Sequence, residues 1–273
     1  EDKLGIHACP TCTMSFGDND GAVGFLIGEE NRGLNCMFTM MNNARLGIGL
    51  TGLSIAERAY QQARDYAKER VQGAAGQPVT IINHPDVRRM LLTMKATVEA
   101  MRGLIYDVVS SLDVTRAHPD SDVRSAARSR VDLLTPVVKA WCTDMGVEVA
   151  SLGVQVHGGM GYMEETGAVQ HWRDSRIAPI YEGTNGIQAI DLVTRKVLRD
   201  GGDTVAQYAL EIRTVLSALE ADSDTVLTSL HTHLSAALDT LETATRWLVT
   251  EAGDAPDKAL SGATPYLRLF GLT

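Results

Sequence analysis

The sequence predicts a mainly α protein: an antiparallel helical bundle preceded by a small β remnant and followed by an extra helical region. Three observations carry that expectation. Apolar residues recur at three- and four-residue steps over most of the chain. Prolines and capping residues open these runs, and glycine-rich stretches close them. The first 36 residues alone have the short apolar pieces and Gly/Asn/Asp punctuation of strands and turns, as in "FGDNDGAVGFLIGEENRG".

The elements follow in order. From about Met37, Leu46, Leu50, Leu53, Ala56, Tyr60, Ala63 and Ala67 mark one face of a helix running to about Val71, where "QGAAGQP" breaks it. Pro85 suits the first turn of a second helix carrying Val87, Met90, Leu91, Met94, Val98, Met101 and Ile105, with methionine as core filler. "RAHPDSD" reads as a loop and residues 121–134 as helical, after which Thr135 and Pro136 read as N-cap and first position of a third long helix. Its stripe is Val138, Trp141, Met145, Val149 and Leu152, and "VHGGMGYMEETG" ends it. After a short segment around Trp172, Thr184 or Asn185 caps a further helix to about Leu198, closed by "RDGGD". Two helices are expected near 203–219 and 223–250, before a linker "EAGDAPDKALSGATP". In "TPYLRLFGLT" a new apolar pattern starts after a proline suited to a helix N-terminus. Three regions are thus expected: residues 1–36 as the end of a β domain, 37–199 as the bundle and 200–273 as the extra helical region. Both ends read as interrupted, so a piece of a longer protein is expected.

Bulk properties narrow the function classes. A chain of 273 residues that is 44% hydrophobic can bury a sizeable core. Its net charge of −9 argues against a nucleic-acid partner, which needs a clustered basic surface. Neither an 18-residue apolar run nor a basic and apolar leader is found, so a cytoplasmic location without a membrane span is expected. Cys9 and Cys12 stand at CxxC spacing near His7, but a fourth ligand is missing, so no metal is expected. Four scattered cysteines suit reduced thiols.

One carboxylate stands out. In "IAPIYEGTNGIQAI", Glu182 lies between Tyr181 and a glycine with apolar residues on both sides. It can be a solvated loop charge, a helix N-terminal charge favoured by the dipole, or a general base in apolar surroundings. The glycines of "VQVHGGMGYM" are left-handed caps or places where backbone approaches a phosphate or ring. Arg70 suits the C-terminal dipole of the first helix. Arg45, in the weakly charged "TMMNNARLGIGL", calls for a phosphate or carboxylate partner or an intramolecular ion pair.

In their order and spacing, "NNARLGIG", "ARDYAKER", "INHP", "LGVQVHGGMGYMEE" and "WRDSRIAPIYEGTNGIQ" resemble the C-terminal half of acyl-CoA dehydrogenases, flavoproteins that introduce a trans-2,3 double bond into acyl-CoA thioesters. The likeness covers roughly residues 1–198, and the remaining tail is similar to the extra helical region of larger bacterial members. It implies FAD as cofactor, with Glu182 as the base that removes the α-proton while hydride leaves the β-carbon for flavin N5. The Glu182 backbone N–H and a flavin ribityl hydroxyl would then form the oxyanion site. Tyr181 would shape the pocket and Thr184 would lie against the flavin. Arg70 would reach the pyrophosphate of an FAD held by a neighbouring subunit, and Gln155, Gly158 and Gly159 its adenosine side across the dimer contact. Arg45 and Asn42 would touch the CoA nucleotide. The implied partners are an acyl-CoA substrate, an electron-transfer flavoprotein as electron acceptor, and further copies in a homodimer or homotetramer. An acyl-CoA oxidase or a non-dehydrogenating flavin-binding relative would share these residues. Two positions depart from the family pattern: Gly186 where many members carry glutamine, and Asn42 where some carry aspartate.

Overall fold

The computed structural model describes residues 1–73, 78–220, 224–252 and 255–273. Among these residues eight α-helices form and no sheet. They are α1 (Gly33–Glu69), α2 (Pro85–Ala117), α3 (Ser121–His157), α4 (Ala168–Ser175), α5 (Asn185–Asp191), α6 (Asp203–Glu220), α7 (Thr225–Trp247) and α8 (Pro256–Leu272). The mainly helical expectation holds.

The first three helices make an up-down-up layer with α3 at its centre. α1 and α3 run parallel: Gly49 meets Val138, Gly52 meets Cys142, and Ala59 meets Gly153 further along. α2 runs against both, pairing Arg102 with Glu57 of α1 and Asp107 with Arg130 of α3. The predicted stripe of α2 is buried from Met90 to Ile105, Met94 and Met101 completely, because both neighbouring helices close over it, while Val87 at its start is only partly covered. Small residues let α1 and α3 approach closely, as a Cβ on Gly52 would lie 2.5 Å from the Cys142 carbonyl oxygen. α8 closes the other side of α3, where Gly271 presses on the Trp141 ring and the Tyr208 ring stacks on Phe270.

Three local expectations change. The strands expected within residues 1–36 do not form: residues 1–32 hold turns and bends, and α1 begins at Gly33 rather than near Met37. A strand needs a partner ladder, and the apolar side chains of this stretch, Phe16, Phe25 and Ile27 among them, are exposed. The segment touches the bundle at Gly5 and Ile6, where the Ile6 amide donates to Asp174 at 2.6 Å. Pro136 lies inside α3 instead of opening a new helix. It withdraws one amide donor, but every residue from Leu133 to Met145 except Asp144 is buried, so packing carries the helix through. Thr135 does not cap; its hydroxyl donates to the Val131 carbonyl one turn back. Lastly, α8 starts at Pro256 and contains Pro265, so most of the supposed linker is helical. Of the "QGAAGQP" break, residues 74–77 lie outside the described residues.

Candidate active site

The segment between α4 and α5 lies on α1 and α3. Glu182 and Gly183 both have left-handed backbone, φ 57° and 83°, which turns the chain sharply before α5. The Thr184 side chain caps α5 by accepting from the Ile187 amide, while the Asn185 amide donates back to the Pro179 carbonyl at 3.0 Å. For a residue other than glycine this conformation is uncommon, and surrounding bonds must hold it.

Those bonds come from α3. Lys139, completely buried, donates from Nζ to the Gly183 carbonyl at 2.7 Å and to Asn185 Oδ1 at 2.9 Å. Asn185 Nδ2 in turn donates to the Ala140 carbonyl at 3.0 Å and to Asp144 Oδ1 at 2.8 Å. Burial lowers the Lys139 pKa to about 8, with Asp144 and Glu182 opposing the shift and Arg45 adding to it. Asp144 is displaced upward, mainly by burial, against the hydrogen bond from Asn185. Burial and then the Glu182 charge likewise raise the Tyr181 phenol.

Glu182 is half-buried, and its Oε2 is a buried oxygen without a hydrogen-bond partner among the described residues. A carboxylate oxygen in that position keeps its lone pairs free for a proton. Arg45 is buried below the loop and pairs with Asp191 at 3.2 Å, with Arg195 on the other carboxylate oxygen at 3.6 Å. The intramolecular ion pair is therefore the reading of Arg45 that the structure realises. Only Nη1 of the guanidinium is bonded to Asp191, while Nε is buried without a hydrogen-bond partner among the described residues. Asn42 lies three residues before it and is exposed.

The remaining candidates sit elsewhere. Gln155, Gly158 and Gly159 are exposed at the far end of α3, and a Cβ on either glycine would meet nothing within 4 Å among the described residues. Residues 139 and 155 are separated by about 24 Å of helix at 1.5 Å per residue. Arg70 caps the parallel end of α1, exposed, one turn beyond Tyr66, whose ring stacks on His157 at 4.4 Å. Apart from the exposed Asn42 on α1, the candidates thus fall into two groups: Arg45, Tyr181, Glu182 and Thr184 around the loop, and Arg70, Gln155, Gly158 and Gly159 at the opposite end. Sequence reasoning missed Lys139, Asp191 and Gln188, whose completely buried side chain donates to the Gly183 carbonyl at 3.4 Å. The available signal was a lysine inside the apolar run "PVVKAWC".

Fold and site together define a helical domain that holds one carboxylate on a loop stapled to its central helix. The model of the acyl-CoA dehydrogenase C-terminal domain matches residues 31–198, and one described as acetyl-CoA dehydrogenase C-terminal like matches residues 204–273. The chain belongs to the acyl-CoA dehydrogenase family. It is 46% identical over 276 aligned residues to 3-methylmercaptopropionyl-CoA dehydrogenase of Ruegeria pomeroyi, covering 99% of this chain and 46% of that protein. A butyryl-CoA dehydrogenase of Syntrophomonas wolfei is 37% identical over 78% of this chain and 36% of its own length. Among solved structures, butyryl-CoA dehydrogenase from Megasphaera elsdenii aligns with TM-score 0.57 at 30% identity, over 70% of this chain and 46% of that one. An acyl-CoA dehydrogenase complexed with FAD from Bacillus anthracis shares the fold, with TM-score 0.69 at 22% identity over 89% of this chain and 42% of that one. The chain spans about half the length, or less, of the relatives it matches.

Proposed function

We propose that the protein carrying this chain is an FAD-dependent acyl-CoA dehydrogenase in which Glu182 is the catalytic base. The observation that carries the reading is Glu182 itself: a carboxylate on a left-handed turn, with one oxygen buried and without a donor among the described residues. The α-proton of a thioester is weakly acidic, so its removal needs a positioned base and a donor for the developing enolate oxygen. Glu182 takes that proton on its carboxylate and its backbone N–H faces the oxygen. Bound FAD would supply the two-electron acceptor for the hydride that leaves the β-carbon, which balances formation of the double bond. Residues at the other end fit a dinucleotide: Arg70 is exposed without an ion-pair partner among the described residues, and Gly158 and Gly159 leave their backbone open to close approach. In a homodimer or homotetramer these would serve a neighbouring subunit's flavin, while Tyr181 and Thr184 shape the site beside Glu182.

The substrate class we infer is a short acyl-CoA, because two relatives over 35% identical are named for 3-methylmercaptopropionyl-CoA and butyryl-CoA. An electron-transfer flavoprotein fits as electron acceptor and the cytoplasm as location. The test replaces Glu182 by Gln in the intact protein and follows anaerobic flavin bleaching after adding acyl-CoA of graded chain length. The expected outcome is fastest bleaching by short chains in the parent, and a loss of about 10³-fold in the variant. Bleaching at the parental rate in the variant would remove Glu182 from the role. Peroxide release during aerobic turnover would indicate an oxidase instead.

A further inference from the structure

We propose that Lys139 is a positioning residue for Glu182, tying the carbonyl of Gly183 and the side chain of Asn185 to α3 so that the turn keeps the carboxylate aimed. The inference rests on the reading of Glu182 as the base. Its warrant is geometric. Two consecutive residues, Glu182 and Gly183, have left-handed backbone, and the carbonyl of the second is the one that Lys139 holds at 2.7 Å. The same ammonium fixes Asn185 at 2.9 Å, the first residue of α5, so both sides of the turn are pinned from one atom.

A packing role alone does not account for a lysine here. Lys139 is completely buried and makes no ion pair within 4.0 Å among the described residues. A methionine would fill the same space without the desolvation penalty of an ammonium. The fold instead places the charge under loop carbonyl dipoles, where its hydrogen bonds are stronger than a neutral donor would make. The charged groups that act on it are Asp144 of its own helix, Arg45 of α1 and Glu182 of the loop. A base must be held to a fraction of an ångström, and displacement by about 1 Å can cost about 100-fold in rate.

The experiment uses the intact flavin-loaded enzyme with Lys139→Met and, as a variant that keeps a neutral donor, Lys139→Gln. Flavin content and binding of the CoA product are measured first, then the rate of flavin reduction with ordinary and α-deuterated acyl-CoA. The expected result for Lys139→Met is normal flavin and product binding, reduction slowed about 10- to 100-fold, and a larger α-deuterium isotope effect. Lys139→Gln should recover part of the rate. General loosening of the fold would lower flavin content without enlarging the isotope effect. Reduction at the parental rate with an unchanged isotope effect in Lys139→Met, while Glu182→Gln is inactive, overturns the role of Lys139 and leaves the base in place. An active Glu182→Gln variant overturns the base itself. Should Lys139→Met fail to fold, Lys139→Gln is held to the same criteria, and failure of both to fold assigns Lys139 to stability alone and overturns the proposal.

Discussion

At the scale of single residues, α3 buries chemistry of two kinds within one turn. Lys139 has polar partners on the loop, whereas Cys142 is completely buried among apolar neighbours and its thiol is pushed far above its ordinary range by desolvation. The sign of the consequence follows from the proton count. An unfolded thiol ionises near its ordinary value of 9.0. The native thiol stays protonated there, so above that pH the unfolded state binds fewer protons and is favoured. Stability contributed by Cys142 is full below pH 9 and is lost as pH rises, by about 1.4 kcal/mol per pH unit while the native thiol remains neutral. Denaturant midpoints of parent and Cys142→Ala, measured between pH 7 and 11, should differ by a constant offset up to about pH 9 and converge beyond it. Parallel curves over the whole range would show that the thiol ionises equally in both states.

At the scale of elements, the packing of α1 on α3 depends on glycine in a way that two substitutions separate. A Cβ on Gly52 would lie 2.5 Å from the Cys142 carbonyl oxygen and 3.1 Å from the Thr143 Cα, and neither backbone atom can turn aside. Overpacking of this kind destabilises by about 1–3 kcal/mol, enough to outweigh the gain of up to about 1 kcal/mol that Gly→Ala brings in a helix interior. A Cβ on Gly103 of α2 would meet nothing within 4 Å among the described residues. Thermal unfolding should therefore show Gly52→Ala less stable and Gly103→Ala slightly more stable than the parent; stabilisation by Gly52→Ala would mean that the two helices do not approach this closely. The stripes of α1, α2 and α3 were legible because each faces one side of a common core, which imposes the 3.6-residue period; Leu50, expected in the α1 stripe, is instead exposed. Pro136 and the Ala/Gly/Ser-rich start of α8 were not, since both signal a break locally and are overridden by burial against neighbours distant in sequence. Among site residues, Glu182, Thr184 and the glycines carried local signals. Lys139 showed locally only as a lysine in an apolar run; its acceptors lie 44 and 46 positions away, so only the fold reveals what it holds.

At the scale of the whole molecule, the question is whether the region after residue 200 is an appendage or part of the domain. Two separate family models meet between residues 198 and 204, which is also where two left-handed glycines, Gly201 and Gly202, turn the chain into α6. The contacts nonetheless cross that boundary. α8 lies on α3 and α5, with Leu267 and Phe270 buried, and on α7, where the Thr245 and Tyr266 hydroxyls bond at 2.7 Å. Arg130 of α3 lies over the Tyr208 ring of α6 at 4.9 Å. An apolar seam of this kind couples the two parts into one cooperative unit. Gly271 is the tightest point of the seam, because a Cβ there would lie 2.4 Å from Cγ and Cδ1 of Trp141. Gly271→Val should push α8 away from α3, lower Tm by about 2–4 °C for each kcal/mol of overpacking, and shift tryptophan emission to the red as Trp141 gains water. Because the seam is shared, unfolding of the parent should remain a single transition whether followed by helix signal or by tryptophan fluorescence. Two separated transitions in the parent, with emission of Gly271→Val unchanged, would make residues 203–273 an independent unit resting on the bundle.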